Sequence, residues 1–503
     1  MSAPITAAVL YDLVNCPHRV TMDAFGDPAE RDPINAFVEL LWKRGSAFED
    51  EMITDLTGKI PFVNLRLFAG AEKEQKTLEA MKAGAPLIYG GRLAADDLLG
   101  DPDLLRREGV GYIPGDIKSG RGEEGGDEEN EGKPKLHYAV QLALYVDLLE
   151  RLKFSTGRRG YILDVDRTEV IYDLTGARGP KTPGTLWDEY QAALAKARAI
   201  YAQSEKTLPA YASSCKLCHW YSSCLKSLQN TGDLTLIPRL GRSARDTLAP
   251  TFATLADLAA ANPEGYVKGK DKTIFPRVGL ATLKTFIARA KLLTTPGARA
   301  YLKAPVSLPT APTELFFDIE ADPMRDICYL HGFVVRKNGD TASEKFIEFF
   351  ADDNTPESER KAFVLAIEFF RNSQPAVIFY YSKYERTFYR KLQARYPDVC
   401  TADEIETLFN PATAVDLYND VVTKATEWPT RDHSIKTLAS HLGFRWRDSN
   451  PSGAASIEWY HRWVDTKDPA IKQRILDYNE DDCRATRVLL DGIRGLTDGD
   501  GST

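Results

Sequence analysis

Two carboxylates and one ammonium stand close together in this chain, Asp103 in Gly100-Asp-Pro-Asp103-Leu-Leu, then Asp116 and Lys118 in Tyr112-Ile-Pro-Gly-Asp116-Ile-Lys118-Ser-Gly. Carboxylate oxygens hold hard divalent cations, and a lysine ammonium can position an attacking water or neutralise charge growing on a phosphate. Hydrolysis of a phosphodiester needs that combination, so these residues suit cutting nucleic acid. An Asp-x-Lys tripeptide is common by itself, and a strand ending in Asp and Lys is most often a solvated edge. The weight of the reading therefore falls on its flanks.

Four further groups of residues could do chemistry. Glu49 follows Gly45-Ser-Ala-Phe48, and Gln141 and Tyr145 stand four apart in Lys135-Leu-His137-Tyr-Ala-Val-Gln141-Leu-Ala-Leu-Tyr145. Cys215-Lys-Leu-Cys218-His-Trp-Tyr-Ser-Ser-Cys224 offers three thiolates at ligand spacing, and Cys16, just before Pro17, is a candidate fourth. Asp318 and Glu320 lie in Leu315-Phe-Phe-Asp318-Ile-Glu320. Glu385 follows Tyr381-Ser-Lys-Tyr384, and Tyr478 and Asp482 are four apart in Leu476-Asp-Tyr478-Asn-Glu-Asp-Asp482. Several have a plainer reading: a solvated helix carboxylate for Glu49, a surface pair for Gln141 and Tyr145, a surface strand for Asp318 and Glu320, a core thiol for Cys16.

Secondary structure decides which of these residues can meet. Asp103 and Asp116 read as belonging to two adjacent strands. The apolar positions of Phe37-Val-Glu-Leu-Leu-Trp-Lys-Arg-Gly45 recur with helical period and carry Glu49, and the run from Leu136 is a strong helix that puts Gln141 and Tyr145 on one face. In a strand, side chains alternate with period two, so Asp318 and Glu320 share one side where they could share a metal. The preceding Leu315-Phe-Phe argues for burial, where an unpaired carboxylate pair would be costly. Ala376-Val-Ile-Phe-Tyr runs from strand into helix at Glu385, Ala414-Val-Asp416-Leu-Tyr follows, and Tyr478 and Asp482 lie one helical turn apart.

Composition bounds the class. The 503 residues, 43% hydrophobic and 27% charged, suffice for two or three globular domains, and whole-chain disorder and fibres are excluded. The formal charge of -8 argues against a globally basic nucleic-acid binder, although local basic surfaces are invisible in that total. The start of the chain lacks a basic segment and no uncharged apolar run is long enough to span a bilayer, so a cytoplasmic protein is expected, with no membrane partner. Seven cysteines, three of them crowded together, suit a metal site better than a disulfide framework. The run Arg121-Gly-Glu-Glu-Gly-Gly-Asp-Glu-Glu-Asn-Glu-Gly-Lys buries too little apolar surface to fold and reads as a flexible acidic loop.

Order makes the set more specific. Gly45-x-x-Phe48-Glu49, Asp103, Asp116-x-Lys118 and Gln141-x-x-x-Tyr145 resemble, motif by motif, the RecB-like branch of the PD-(D/E)XK nucleases over about residues 8 to 226. The resemblance implies that Glu49, Asp103 and Asp116 bind Mg²⁺ or Mn²⁺, that Lys118 assists the water, and that Gln141 and Tyr145 support the site or touch DNA. Many relatives carry histidine where Phe48 stands. In iron–sulfur members of that class, one early and three late cysteines bind a [4Fe-4S] cluster, which implies Cys16, Cys215, Cys218 and Cys224 here. A zinc site using Cys16 or His219 remains the alternative.

Leu236-Ile-Pro238-Arg239-Leu-Gly241 and Phe275-Pro276-Arg277-Val-Gly279 share Pro-Arg-aliphatic-Gly, and each resembles a helix-hairpin-helix element. That implies phosphate binding at Arg239, Gly241, Arg277 and Gly279, although arginine stands where the first glycine is usual. Asp318, Glu320, Glu385, Tyr478 and Asp482 resemble the ribonuclease-H-like 3′-5′ exonucleases of DEDD type, tyrosine subclass, with Glu385 replacing the usual aspartate. The resemblance implies that the acids bind two metals and Tyr478 orients the water. The whole, including Ser434-Ile-Lys-Thr-Leu-Ala-Ser-His-Leu-Gly-Phe, is similar to RecB-family nucleases with an appended ribonuclease-H-like domain.

The expected architecture is α/β and multidomain: a restriction-endonuclease-like PD-(D/E)XK core over 1–228, a helical connector over 229–297, a proline-rich linker over 298–312 and a ribonuclease-H-like domain over 313–496. The expected function is a metal-dependent nuclease acting on DNA, with RNA as a further candidate substrate and single-stranded ends as substrate for the second site. The rival is a nucleic-acid-binding partner of a helicase with one or neither site active.

Overall fold

Gly111–Ile117, buried along its whole length, is the central strand of the first sheet. A strand covered on both faces reads as a continuous apolar run, as Tyr-Ile-Pro-Gly does here. It pairs antiparallel with Leu104–Glu108 on one side and parallel with Arg159–Leu163 on the other. Glu169–Asp173 lies beyond the latter strand, and Leu87–Tyr89 and then Val63–Asn64 beyond the former, closing a six-stranded sheet. Helix Leu136–Arg151 is apolar on nearly all sides and is correspondingly buried, with Ala139, Leu142, Val146 and Leu149 joining Ile88, Leu105, Tyr112 and Ile162 of the sheet in one core. On the opposite face Phe48 and Met52 of helix Ala36–Thr57 pack on Leu104, Ile113 and Ile117. Alternation along the central strand thus sends Ile113 and Ile117 to one face and Tyr112 and Asp116 to the other.

The computed structural model describes residues 3–125, 132–178, 182–449 and 451–497. The core of the expected acidic loop, 126–131, lies outside them; Glu123–Glu124 and Lys133–Pro134 on its flanks pair as a two-stranded ribbon. The chain folds as two compact units, Met1–Ala210 with Ser214–Leu225, and Tyr211–Ser213 with Lys226–Thr503. Among the described residues no helix is long and apolar enough to cross a membrane.

In the second unit, Thr313–Asp322, Ile327–Lys337 and Asp340–Phe350 form an antiparallel meander, and Ala376–Tyr380 and Ala414–Asp416 add in parallel on the other side of the first strand. The sheet order is therefore third, second, first, fourth, fifth. Period two divides the first strand cleanly. Leu315, Phe317 and Ile319 enter a core with Phe363, Phe370 and Tyr389 of the helices on one face. Phe316 faces the opposite core with Val334, Cys483 and Leu489. Asp318 and Glu320 share the parity of Phe316 and so face the last helix, Pro469–Arg494. That helix comes close because Gly332, cross-strand partner of Asp318, has no side chain: a Cβ there would stand 1.6 Å from Asn479 Oδ1.

The proline-rich stretch is not a free linker. Tyr301–Leu302 pairs with Thr426–Glu427, and Val306, Leu308 and Ala311 pack onto the core beside Phe316 and Trp428. These partly buried side chains supply an apolar edge that proline content alone conceals. The helical segments before it belong to the same compact unit. Arg289 of helix Leu280–Thr294 forks onto Glu427 through Nε at 2.8 Å and Nη2 at 3.0 Å, with Nη1 on the Pro238 carbonyl at 2.9 Å.

Candidate functional site

Asp318 and Glu320 from the strand and Asp482 from the last helix converge, with one ligand oxygen of each within 4.8 Å of the others. Asn479, one residue past Tyr478, donates through Nδ2 to Asp318 Oδ2 at 2.7 Å. Tyr329 donates to Glu320 Oε2 at 3.4 Å and shares a 2.8 Å hydrogen bond with Ser456. Trp446 Nε1 donates to Asp482 Oδ1 at 2.7 Å. Lys436 Nζ lies 3.3 Å from both oxygens of Asp482 and donates to the Tyr478 hydroxyl at 2.9 Å.

Crowding carboxylates away from water makes simultaneous ionisation costly. Burial, and then the neighbouring Asp482, push Glu320 up to about 8, and burial with Glu320, Asp482 and Glu385 raises Asp318 well above the usual carboxylate range. Glu385 is likewise pushed to about 8, by burial and then by Asp416. A cation among these oxygens would reverse the penalty, and Glu385 Oε2 is buried with no hydrogen-bond partner among the described residues. The donor set, all hard oxygens, fits Mg²⁺ or Mn²⁺.

Glu385 begins the helix Tyr384–Arg395 after a tight turn in which Ser382 adopts φ 124, a region costly for a residue with a Cβ. The Ser382 hydroxyl accepts from Tyr384 N at 3.2 Å and holds the turn. Glu385 stands beside Asp318 electrostatically, yet outside the group of three whose oxygens lie within 4.8 Å.

In the first unit Asp103, which lies just before strand Leu104–Glu108 rather than in it, meets Asp116 of the adjacent strand. Asp116 Oδ1 accepts from Asp103 N at 3.3 Å, Asp103 Oδ2 accepts from Ile117 N at 2.8 Å, and Lys118 Nζ is 2.8 Å from Asp116 Oδ2. Burial, then Asp116 and Glu49, push Asp103 up to about 7 against the lowering effect of Lys118. Burial alone would lower the Lys118 ammonium, but Asp116 and Asp103 outweigh it and hold it above the usual lysine range. Tyr145 feels the same acids from the adjoining helix, and Gln141 Oε1 there is buried without a hydrogen-bond partner among the described residues.

Glu49 lies close enough to Asp103 to raise its carboxyl, and it has partners of its own. Arg66 ion-pairs with its Oε1, which also accepts from the Tyr89 hydroxyl at 3.0 Å. Among the described residues it forms no three-acid group within 4.8 Å with Asp103 and Asp116. Phe48 is a core residue facing Met52 and Leu104.

Cys16 sits at the junction of helices Ala7–Asn15 and Pro17–Phe25, Cys215 and Cys218 on and just past the turn Ser213–Leu217, and Cys224 in helix Tyr221–Thr231. They are one neighbourhood: burial and then Cys218, Cys16 and Cys215 push the Cys224 thiol up to about 12. His219 turns to Asp23, Nε2 to Oδ1 at 2.7 Å. Arg239 and Arg277 both adopt left-handed φ, 67 and 64, and Gly241 and Gly279 each precede a helix. The repeat is thus also conformational, with arginine bearing the φ that glycine would adopt without cost.

Sequence reasoning missed Lys436, Asn479 and Trp446. Asn479 adjoins Tyr478 and Lys436 stands in the quoted Ser434-Ile-Lys run, so both were within reach; Trp446 carried no local signal.

Residues 315–493 match the model of the RNase_H superfamily. No curated protein matches the chain. The molecule is a mixed α/β, multidomain protein whose C-terminal domain is ribonuclease-H-like.

Proposed function

We propose that the chain is a metal-dependent nuclease whose C-terminal domain removes nucleotides from single-stranded 3′ ends, DNA first, and whose N-terminal unit carries a second, RecB-like site. The observation that carries this reading is the three-carboxylate group of Asp318, Glu320 and Asp482 inside the segment that matches the RNase_H superfamily. The chemistry a bound Mg²⁺ or Mn²⁺ supplies there is activation of water and screening of phosphate charge.

The chain's own groups do the rest. Lys436 donates into the Tyr478 oxygen, which leaves the phenolic proton free to bond and aim the attacking water. The same ammonium stands beside Asp482, where it would offset charge growing on the phosphate. Asn479 keeps Asp318 turned toward the site. In the N-terminal unit Asp103 and Asp116 would hold the metal, Lys118 would position the water, and Gln141 and Tyr145 would support the site.

Cys16, Cys215, Cys218 and Cys224 are proposed to hold a [4Fe-4S] cluster. A single tetrahedral zinc would draw its sulfurs to about 3.8 Å from one another, given Zn–S bonds of about 2.3 Å. The four thiols are neighbours and His219 is engaged with Asp23, which favours an all-cysteine ligand set over one that uses His219. Arg239, Gly241, Arg277 and Gly279 are proposed contacts to the nucleic-acid backbone. A cytoplasmic role in processing DNA ends beside a helicase fits these parts.

A second reading, a nucleic-acid-binding partner with one or neither site turning over, is favoured by the engagement of Glu49 with Arg66. Digestion of end-labelled single- and double-stranded DNA and RNA with Mg²⁺ or Mn²⁺ separates the two. Asp318→Ala and Lys118→Ala should each remove part of the cleavage, and Lys436→Ala should slow the 3′-5′ part by about 100-fold, as loss of one charge-stabilising donor does. Cleavage unchanged by every variant would reject the assignment, and none by the folded wild type would leave the binding reading.

A further inference from the structure

Positions 266–279 carry four basic side chains, Lys268, Lys270, Lys272 and Arg277, against one acid, Asp271, in a chain whose formal charge is -8. Tyr266 to Ile274 fold back as a hairpin: Lys268 N donates to Lys272 O at 2.9 Å, Ile274 N to Tyr266 O at 2.9 Å, and Gly269 turns the tip at φ 117. The base is rigid. Buried Thr273 accepts from Phe275 N at 3.1 Å and donates to Val278 O at 2.5 Å, while the Tyr266 ring meets Phe252 edge-on and Phe275 at a tilt. Helix Leu280–Thr294 leads from this base to Arg289, about 15 Å along its axis, whose fork on Glu427 fixes the hairpin to the ribonuclease-H-like domain.

Many basic side chains of the unit are ion-paired, Arg371 to Glu404, Arg386 to Glu406 and Lys472 to Asp352; what sets the hairpin apart is three exposed lysines within five positions of one folded-back segment. Lys268, Lys270 and Lys272 are exposed, and no carboxylate pairs with them among the described residues. Beside them Val267 and Ile274 stand 38% and 53% exposed. An acidic protein that leaves one preorganised projection unneutralised has a surface complementary to a polyanion.

We infer that the Tyr266–Ile274 hairpin is a backbone clamp for single-stranded nucleic acid, its three lysines gripping phosphates of the strand that the C-terminal site shortens. This rests on the nuclease reading and adds a contact surface to it.

Binding of a long fluorescein-labelled single strand in EDTA, titrated against salt by anisotropy, tests it with the full chain. Each lost phosphate contact removes about 0.7 from the log K against log salt slope, so Lys268→Ala/Lys270→Ala/Lys272→Ala should flatten that slope by about 2 and weaken binding at least about tenfold. The triple arginine variant should keep both, and an unchanged melting temperature shows that the fold survives. A wild-type slope in the alanine variant would overturn the clamp while leaving the nuclease reading intact. Absence of salt-dependent binding by wild type to any nucleic acid would overturn both, and loss of binding to anionic vesicles or acidic peptides alone would assign the surface to another polyanion.

Discussion

At Asp318, Glu320, Glu385 and Asp482 the physics is that of like charges held in a dry place. In the unfolded chain glutamates release their protons near 4.5, whereas Glu320 and Glu385 in the fold hold theirs to about 8. Between those values the native state binds more protons than the unfolded one. The contribution of these two groups to stability without metal is therefore fullest below about pH 4.5 and is lost as pH rises through about 8. The melting temperature in EDTA should decline across that window, Glu320→Gln should flatten the decline, and Mg²⁺ or Mn²⁺ should raise melting far more at the alkaline end. A flat wild-type profile in EDTA would mean that these carboxylates do not oppose one another's ionisation. Lys436 offsets only part of the repulsion, because it contacts Asp482 and not the strand pair directly.

At the scale of elements, the connector helix Leu280–Thr294 is held to the ribonuclease-H-like domain by one desolvated ion pair. Arg289 and Glu427 are 4% and 3% exposed, and Lys303 adds a second contact to Glu427 at 2.8 Å. Breaking a buried pair from one side leaves a charge without compensation, at a cost of about 3–5 kcal/mol, while replacing both partners with apolar residues of similar size is far milder. Urea unfolding should accordingly show Arg289→Met strongly destabilised and Arg289→Met/Glu427→Leu closer to wild type. If the double variant were the less stable, the pair would be a source of net stability. The same helix carries the basic hairpin, so its loosening should also weaken strand binding.

At the scale of the molecule, two compact units each gather acids and a lysine, and the first also gathers four cysteines from the two ends of its sequence. Joining Cys16 to Cys215–Cys224 would close a loop around nearly the whole unit, so the ligand should stabilise it by constraining the unfolded chain. Anaerobically purified protein should contain iron and sulfide in equal amounts, and Cys16→Ser should lose both and melt the first unit at lower temperature while the second is unmoved. One zinc per chain and no iron would replace the cluster with the simpler site.

Sequence alone determined what depends on local period and spacing. Alternation put Asp318 and Glu320 on one face of a strand, helical spacing put Tyr478 one turn from Asp482, and adjacency brought Asp103 to Asp116 and Lys118. These placements hold in whatever surroundings the element folds. Tertiary structure alone decided which distant groups complete each site. Lys436 reaches Asp482 only because helix Ile435–His441 packs beside the last helix, Glu49 meets Arg66 and Tyr89 as well as the field of Asp103, and Val306 and Leu308 pack a stretch that reads as a linker onto the core. Such contacts join residues far apart in the chain, and their geometry is set by side-chain packing between elements, which no repeat in the sequence records.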